Sequence, residues 1–372
     1  MSCDYLQKML APCRVNEADN HDRENGHASD EGTERRVGRI DEPADSRAYA
    51  AFPEDFGQHF VIFVDTEEEF DWEQPLSRDN VSVTAMEGLP EAQRFFREAG
   101  ALPAYMVDYP IVDNERSAAI IREMHEQDGC EIGTQLHPWV NPPFDEEVSG
   151  HTSFTGNLPL ELQRAKLECL TTRIEERVGT RPTLYRAGRY GIGQHSAGLL
   201  EAAGYRMDTS ARALFDYSGE GGPDFSRFHA NPFWAGSSRT LLELPLTSTF
   251  IGPLRKFGMP LFSLGDTLPK WRAILARTHL LQRVSLTPED YPLDLALEAI
   301  KRLIEDGMPV IGLSYHSPSV VPGHTPYVRD AEDLKAFYAW WDGVFELFAL
   351  HGVTAIRAEG IVAAADQARS ER

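Results

Sequence analysis

The stretch Phe60–Trp72, FVIFVDTEEEFDW, passes from an unbroken apolar run directly into a cluster of acids. The run Phe60–Val64 is aromatic and β-branched, which predicts a strand buried on both faces. Five carboxylates follow it. Acids at the C-terminal end of a buried parallel strand lie where β/α-barrel enzymes place their chemistry. The stretch therefore predicts either a functional strand end or a strand that enters a solvated acidic loop.

Downstream, short apolar segments alternate with amphipathic helical patterns. The predicted strands are Phe60–Val64, Ala104–Val107, Cys130–Gly133, Thr183–Tyr185, Tyr205–Asp208, Leu241–Leu246, Val310–Ser314 and Val353–Ile356. The predicted helices are Gly88–Ala99, Ala118–Gln127, Pro159–Val178, Ser196–Ala203, Thr267–Leu281, Leu293–Glu305 and Asp333–Leu350. This alternation predicts an α/β protein whose roughly seven strand–helix units form a closed or nearly closed, TIM-barrel-like β/α barrel. An open doubly wound sheet is the alternative, although no glycine-rich dinucleotide fingerprint follows the first strand.

The composition separates an extension from one large domain. Residues 1–55 are rich in charged and small residues and poor in large apolar ones, which predicts a disordered or loosely packed N-terminal extension. Residues 56–372 are then predicted to form the barrel. The hydrophobic content of 42% over 372 residues is typical of a globular protein with a sizeable core.

The charge of the chain narrows the class of binding partner, and its cysteine usage indicates the redox compartment. The formal net charge of -22 argues against nucleic-acid binding and against nonspecific binding to anionic membranes. The four cysteines show no metal-binding spacing, so a reducing compartment is expected. Neither a secretory signal nor an apolar run of membrane-spanning length is visible, and we expect a cytoplasmic protein without a membrane span.

Side chains that can transfer protons, bind a metal ion or orient a carboxylate follow several predicted strands. In a parallel barrel the C-terminal strand ends share one face, so side chains at these ends are expected to converge. A lone histidine in a loop is more often solvated than functional, but several such residues at strand ends favour a site for metal-assisted hydrolysis. These residues are Asp65, Glu67, His137, Arg186, Asp208 and His316.

The order and content of these segments resemble the polysaccharide deacetylases, the NodB-homology or carbohydrate esterase 4 family. Within that family, the sequence is most similar to the divergent WalW-like branch. The resemblance spans about Phe60–Ile356. The matching segments are VDTEEEFDW at Val64–Trp72, EIGTQLHPWVNPP at Glu131–Pro143, YRAGRYGIG at Tyr185–Gly193, GYRMDTS at Gly204–Ser210 and YHSPSVVPGHTPY at Tyr315–Tyr327.

The resemblance implies a distorted (β/α)7 barrel with a divalent metal ion, usually zinc, at the strand ends. It implies that Asp65 is the catalytic base and Glu67 a metal ligand, in an acid-x-acid version of the family's first motif. It also implies that Arg186 orients the base and that His316 is the general acid. Since side chains at positions i and i+2 of a strand point the same way, Asp65 and Glu67 can face one site.

The second motif departs from the family pattern. It normally supplies two histidines four residues apart, but Gln135 and Trp139 stand at those positions here. Glutamine is a poor zinc ligand compared with imidazole. His137 is therefore predicted to be the surviving imidazole ligand, and His151 is a candidate for a second one. The alternative is an altered or lost metal site.

These observations predict a metal-dependent hydrolase that removes N-acetyl or related acyl groups from an amino sugar or a polysaccharide precursor. One alternative is a catalytically impaired member of the same fold that binds a glycan or acts as a regulator. Another is a hydrolase of a small non-peptide amide, which needs no export. Trp139 and Tyr190 are predicted to stack on a sugar, and the turn at Ser317 to line its pocket. The sequence does not decide the oligomeric state.

Overall fold

The computed structural model of the chain describes residues 38–69, 74–266, 268 and 270–371. Within these residues, one curled sheet has the strand order β10-β1-β2-β3-β4-β5-β7-β6, and β11 pairs with the start of β1. A separate antiparallel pair is formed by β8 and β9. The strands are β1 His59–Thr66, β2 Ala104–Val107, β3 Glu131–Leu136, β4 Leu184–Ala187, β5 Met207–Asp208, β6 Phe233–Ala235, β7 Leu241–Glu243, β8 Ser248–Ile251, β9 Gln282–Ser285, β10 Val310–His316 and β11 Thr354–Ala355.

Helices follow most of the strands and contribute buried apolar side chains to the core. They are α1 Leu89–Glu98, α2 Tyr109–Asp113, α3 Glu115–Asp128, α4 Leu160–Val178, α5 Ser196–Ala203, α6 Gly258–Ser263, α7 Trp271–Arg277, α8 Leu293–Glu305, α9 Ala331–His351 and α10 Ala358–Ser370. None of the helices in the described part of the chain is both long and apolar enough to cross a membrane.

In the larger sheet of the described residues, the strands from β10 to β7 run parallel, and β6 is antiparallel to β7. This confirms the predicted distorted (β/α)7 barrel. In the described residues β7 and β10 do not pair with each other. The connections that flank β8 and β9 bridge the gap instead: the Gly312 N–H donates to Thr247 Oγ1 at 2.9 Å, and the Ser314 N–H donates to the Leu286 carbonyl at 3.2 Å.

The side chains of β1 alternate between two apolar layers. Phe60, Ile62 and Val64 belong to the larger core cluster, where Phe60 stacks on Phe348 of α9. Val61 and Phe63 point the other way, into the barrel interior. Because the alternation has a period of two, Asp65 continues the interior row of Val61 and Phe63. The apolar run therefore aims this carboxylate into the barrel.

Helix α10 packs at the end of the barrel where the strands begin, and the end of the predicted extension also contributes to the core. Ala358 and Ile361 belong to the interior cluster, and the Glu131 carboxylate accepts hydrogen bonds from the Ala358 and Glu359 N–H groups at 2.8 and 2.7 Å. Ile40 is fully buried in the outer core. Packing against the barrel thus begins before the predicted boundary at residue 56, and the predicted domain division itself stays a prediction. Residues 1–37 lie outside the described residues.

Several stretches differ from the sequence prediction, and strands β6, β8 and β9 and helices α2 and α6 were not predicted. The helix predicted over Thr267–Leu281 is shorter, Trp271–Arg277, and Leu281 leads into strand β9. Residues 267 and 269 lie outside the described residues. Helix α10 was not predicted at all, because its alanine-rich pattern lacks the large apolar residues that marked the other helices.

Candidate active site

Asp65 and His316 meet where two neighbouring parallel strands end. They are direct register partners on β1 and β10, and His316 Nε2 lies 3.7 Å from Asp65 Oδ2. Asp65 is buried, whereas His316 remains partly open to the cavity. A carboxylate and an imidazole at this distance can serve as a proton acceptor and a proton donor on either side of a small reacting group.

Arg186 forms a buried ion pair with Asp65. Its guanidinium is buried and donates to Asp65 Oδ1, while two more N–H groups donate to the carbonyl and hydroxyl oxygens of Thr209 at 3.1 and 3.2 Å. The guanidinium also lies over the Phe63 ring. An arginine pair with this many contacts fixes the orientation of the carboxylate, so the structure brings together the predicted base and its orienting arginine.

Glu289 is the partner of His316. Its carboxylate accepts a hydrogen bond from the backbone N–H of His316 at 3.0 Å and lies 2.7 Å from the ring Nδ1. The hydroxyl of Ser319 donates to the same carboxylate. Burial alone would lower the pKa of His316, but the carboxylates of Glu289, Glu67 and Asp65 outweigh it and raise the pKa to about 10. The imidazole is thus held as a cation that can give up a proton.

Glu67 faces the same cavity from the loop that follows β1. Its backbone N–H donates to Ser317 Oγ at 3.2 Å, which ties this loop to the turn after β10. Burial, opposed by the nearby histidines, raises the pKa of Glu67 to about 8. Asp65, Glu67 and His316 offer ligand atoms that all lie within 4.8 Å of one another.

Gln135 lies between Glu67 and His137. Its Nε2 donates to Glu67 Oε2 at 2.8 Å and is 3.2 Å from His137 Nε2. The same His137 nitrogen is 3.5 Å from Glu67 Oε2. The amide oxygen Oε1 of Gln135 is buried and has no hydrogen-bond partner among the described residues. An orphaned buried acceptor beside a carboxylate and an imidazole indicates a place where a further group can bind.

The buried carboxylate of Glu68 contacts the Nδ1 side of the His137 ring. Glu68 Oε2 lies 2.8 Å from His137 Nδ1, and Glu68 Oε1 accepts the indole N–H of Trp139 at 3.0 Å. The Glu68 N–H in turn donates to Asp108 Oδ2 at 3.0 Å. A carboxylate that receives Nδ1–H leaves the Nε2 lone pair of the ring directed at the cavity. Burial raises the pKa of Glu68 and, together with that neighbouring acid, the pKa of Asp108.

The loop that carries His137 is itself held by a buried lysine. Lys166 on α4 donates to the carbonyl oxygens of Pro138, Asn141 and Pro143, at 2.9, 2.6 and 2.6 Å, and its Nζ lies 3.0 Å from Glu146. On the other side the imidazole packs on Gly188, where an added Cβ would lie only 2.2 Å from the His137 ring. Both contacts keep the imidazole in one place.

Asp208, also noted after a predicted strand, lies in a buried pair rather than at the cavity. It is the register partner of Glu243 on the neighbouring strand, and both are fully buried. Ser210 Oγ donates to Asp208 at 2.5 Å, and the Ala211 N–H donates to Glu243 at 3.0 Å. Burial and the adjacent acid raise the pKa of Glu243 well above its ordinary range. The pair therefore belongs to the buried strand ends and does not line the cavity.

Three of the predicted site residues have other positions or roles. His151 is exposed, contacts Asn157, and belongs to neither group of ligand atoms found in the described residues. Trp139 is buried and stacks on His137 with ring centres 4.5 Å apart, so it has no face for a sugar. Ser317 is buried beneath Glu67. The structure does not bring these three side chains to the cavity lining, and the roles predicted for them stay predictions.

Tyr190 lines the cavity, as its predicted role requires. It adopts a left-handed backbone conformation with φ of 61°, and its ring stacks on Tyr217. The guanidinium of Arg212 lies over both Tyr190 and Phe215. A non-glycine residue at positive φ is a mark of local strain, which is common where a loop is shaped for binding. This wall gives the cavity an aromatic and cationic side opposite Asp65.

No protein-family model and no curated protein matches the sequence. Among solved structures, a protein named as a polysaccharide deacetylase from Mycobacterium smegmatis is 16% identical, with a TM-score of 0.52 over 89% of this chain and 95% of that one. Puue allantoinase is 15% identical, with a TM-score of 0.47 over 87% and 97%. A Pseudomonas aeruginosa PAO1 protein, also named as a polysaccharide deacetylase, is 15% identical, with a TM-score of 0.45 over 83% and 90%.

The chain therefore has the polysaccharide deacetylase fold, which confirms the resemblance at the level of the fold. The likeness to the Mycobacterium smegmatis structure extends over nearly all of both chains. Assignment to the WalW-like branch stays a prediction.

Proposed function

We propose that this protein is a hydrolase that removes an N-acyl group, such as acetyl, from an amino sugar. The observation behind the proposal is the Asp65–His316 pair, in which each member has its own partner of opposite charge. Arg186 orients Asp65, and Glu289 keeps His316 protonated. Amide hydrolysis needs such a division, because one group must accept a proton from water while another delivers one to the departing amine.

The chain's own residues divide the proton transfers. Asp65 accepts the proton of a water molecule as that water attacks the acyl carbon. His316 donates its Nε2 proton to the amine nitrogen as the carbon–nitrogen bond breaks. Asp65 Oδ2 and His316 Nε2 lie 3.7 Å apart before substrate enters. A reacting amide therefore has to lie between these two atoms or above them. Glu289 then stabilises the histidine as it is protonated again.

The cavity also has donors that suit a divalent ion, and we propose zinc. Glu67 supplies carboxylate oxygen and His137 supplies imidazole nitrogen, which are ordinary zinc ligands. The orphaned Oε1 of Gln135 is a further buried acceptor beside them. Glu68 behind His137 provides the carboxylate–histidine contact that typically supports a metal-binding imidazole. A bound ion would supply Lewis acidity to the acyl carbonyl.

The proposal is tested by acetate release from N-acetylglucosamine, its oligomers and a small N-acetylated amine, with protein supplied with zinc. We expect release from at least one of the sugars. Absence of release from every sugar, by folded protein that has bound zinc, would contradict the proposed function. Release from the small amine alone would instead favour the small-amide hydrolase.

A second candidate function follows from the position of the Gln135 side chain. Its amide NH2 reaches both Glu67 and His137, so the two groups are satisfied without an ion. This arrangement favours a protein that binds a glycan in the cavity without hydrolysing it. Binding of N-acetylglucosamine oligomers that is insensitive to chelator, together with no acetate release, would support this candidate.

Replacing Gln135 by His tests whether the ion binds beside this side chain. An imidazole at this position places a second nitrogen ligand beside Glu67 and His137, so zinc affinity is expected to rise at least tenfold in isothermal titration calorimetry. Gln163→His, a buried glutamine on α4 that bonds backbone carbonyls, is the matched control and should leave zinc affinity unchanged. If Gln135→His leaves zinc affinity unchanged, the ion does not bind beside Gln135.

Replacing Glu68 by Gln tests the support behind His137. A single amide cannot accept both the Nδ1–H of His137 and the indole N–H of Trp139, so one donor loses its partner. We expect zinc affinity to fall roughly 10–100-fold, the range for residues that orient a metal ligand. A nitrogen-detected spectrum of the zinc-free protein should show a changed tautomer of His137. Glu87→Gln, at an exposed ion pair, should change neither the zinc affinity nor the tautomer of His137. If Glu68→Gln also leaves both measurements unchanged, Glu68 does not support His137 in metal binding.

A further inference from the structure

The segment between β8 and β9 differs in charge from the rest of the chain. Residues 252–283 contain six Lys or Arg and one acid, Asp266, for a local net charge of +5 in a chain whose net charge is -22. The segment folds on itself: the Trp271 indole N–H donates to the Leu261 carbonyl at 2.7 Å, and the Leu254 N–H donates to the Leu280 carbonyl at 3.0 Å. It is thus a small helical unit with its own charge.

This unit also exposes large apolar side chains. Their exposed fractions run from 40% at Leu280 to 63% at Phe257. Isolated exposed apolar residues are normal, but several on one small unit indicate a surface that contacts an apolar phase. The exposed apolar residues of the unit are Phe257, Leu264, Leu268, Ile274 and Leu280.

Exposed cations accompany these side chains. Lys256, Lys270 and Arg277 are exposed, and in the part of the chain that the structure describes no ion pair involves them. Lys270 immediately precedes α7, and Ile274 and Arg277 lie three positions apart on one face of that helix. By contrast, Arg255 is paired with Asp306 at 2.7 Å. We call the three cations and the five apolar residues the basic apolar patch.

We propose that the basic apolar patch binds the surface of a membrane that contains anionic lipids. Apolar side chains enter the boundary between headgroups and acyl chains, and nearby Lys and Arg are attracted to anionic headgroups. The strongly acidic remainder of the chain does not prevent this, because charges beyond roughly 8 Å are screened at physiological ionic strength. A purely hydrophobic partner would leave the cations without a role.

The patch lies toward the end of the barrel away from the site. Arg255 bonds Asp306, which precedes β10, whereas His316 is at the far end of that strand. Binding through the patch would therefore leave the cavity open to substrate. The proposal is independent of the chemistry at Asp65 and His316, and variants of the patch are expected to keep the activity of the intact protein.

Sedimentation of the full chain with vesicles tests the proposal. We expect the protein to sediment with vesicles of phosphatidylglycerol and phosphatidylcholine in equal parts, but not with phosphatidylcholine alone, and to be released by salt. Lys270→Gln with Arg277→Gln should lower the partition coefficient by roughly 30-fold, since each cation near an anionic surface contributes about fivefold. Arg94→Gln with Lys335→Gln removes two exposed cations from α1 and α9 and should have no such effect.

A matched apolar pair separates lipid insertion from charge alone. Ile274 and Val81 are both β-branched and 51% exposed. Ile274→Ser should weaken binding to the anionic vesicles several-fold, and Val81→Ser should not. The proposal is overturned if wild-type protein stays in the supernatant with anionic vesicles, or if the patch variants bind them as well as wild type. It is also overturned if sedimentation velocity shows that the patch joins two copies of the chain.

Discussion

Replacing Asp65 by Asn is expected to lower the turnover of an N-acetylated sugar by roughly 10²–10⁴-fold, the range for loss of a general base. Asparagine keeps the size of the side chain and can still accept a hydrogen bond from Arg186, but it cannot take a proton from water. The guanidinium also keeps its two bonds to Thr209, so the strand ends should stay in place. The measurement is steady-state acetate release at saturating zinc.

The control for this variant is Asp113→Asn. Asp113 also pairs with an arginine, Arg173, but at an exposed position on α2. Turnover by this control should equal that of wild type. Turnover by Asp65→Asn within a few-fold of wild type, in folded protein, would show that Asp65 is not the base.

Replacing His316 by Gln is expected to have a comparably large effect on turnover, again roughly 10²–10⁴-fold. Glutamine can still reach the Glu289 carboxylate with its amide N–H, but it has no proton to give to a leaving amine. Zinc affinity should change little, because the proposed ligands are Glu67 and His137. Near-normal turnover by the variant would exclude His316 as the acid.

The pH dependence of turnover tests how His316 is held. The protonated imidazole is the active form, so its contribution is present below its pKa of about 10 and is lost as the pH rises through that value. The Glu289 carboxylate is the strongest of the groups that raise this pKa. Glu289→Gln should therefore move the high-pH decline of turnover to lower pH. A decline at the same pH in both proteins would mean that another group causes it.

The fold could be predicted from the sequence because its strands are short apolar runs that end in polar residues. Phe60–Val64 leads directly into Asp65, and only Tyr315 separates Val310–Ser314 from His316. The parallel register then makes Asp65 and His316 neighbours. The interior-facing alternation along β1 similarly predicts that Asp65 points into the barrel. The local pattern was sufficient in these places because burial on both faces leaves little freedom in the register.

The partners of these residues were harder to predict. Glu289 follows β9, but the apolar residues before that strand fit a helical period, so no strand end was expected there. Asp108 follows a predicted strand directly and could have been noted, although its role depends on Glu68 and His137. Tertiary contacts decide which side chains of a loop are buried, and the sequence pattern therefore did not predict the burial of Trp139 and Ser317.

Titrating chelator-treated protein with zinc while measuring acetate release tests whether this chain hydrolyses an N-acyl sugar with Asp65, His316 and a bound divalent ion. We expect release to begin with the first equivalent of zinc, to rise with occupancy and to stop rising at one ion per chain. Full activity before zinc is added, or stoichiometric zinc binding without any acetate release, would exclude this mechanism.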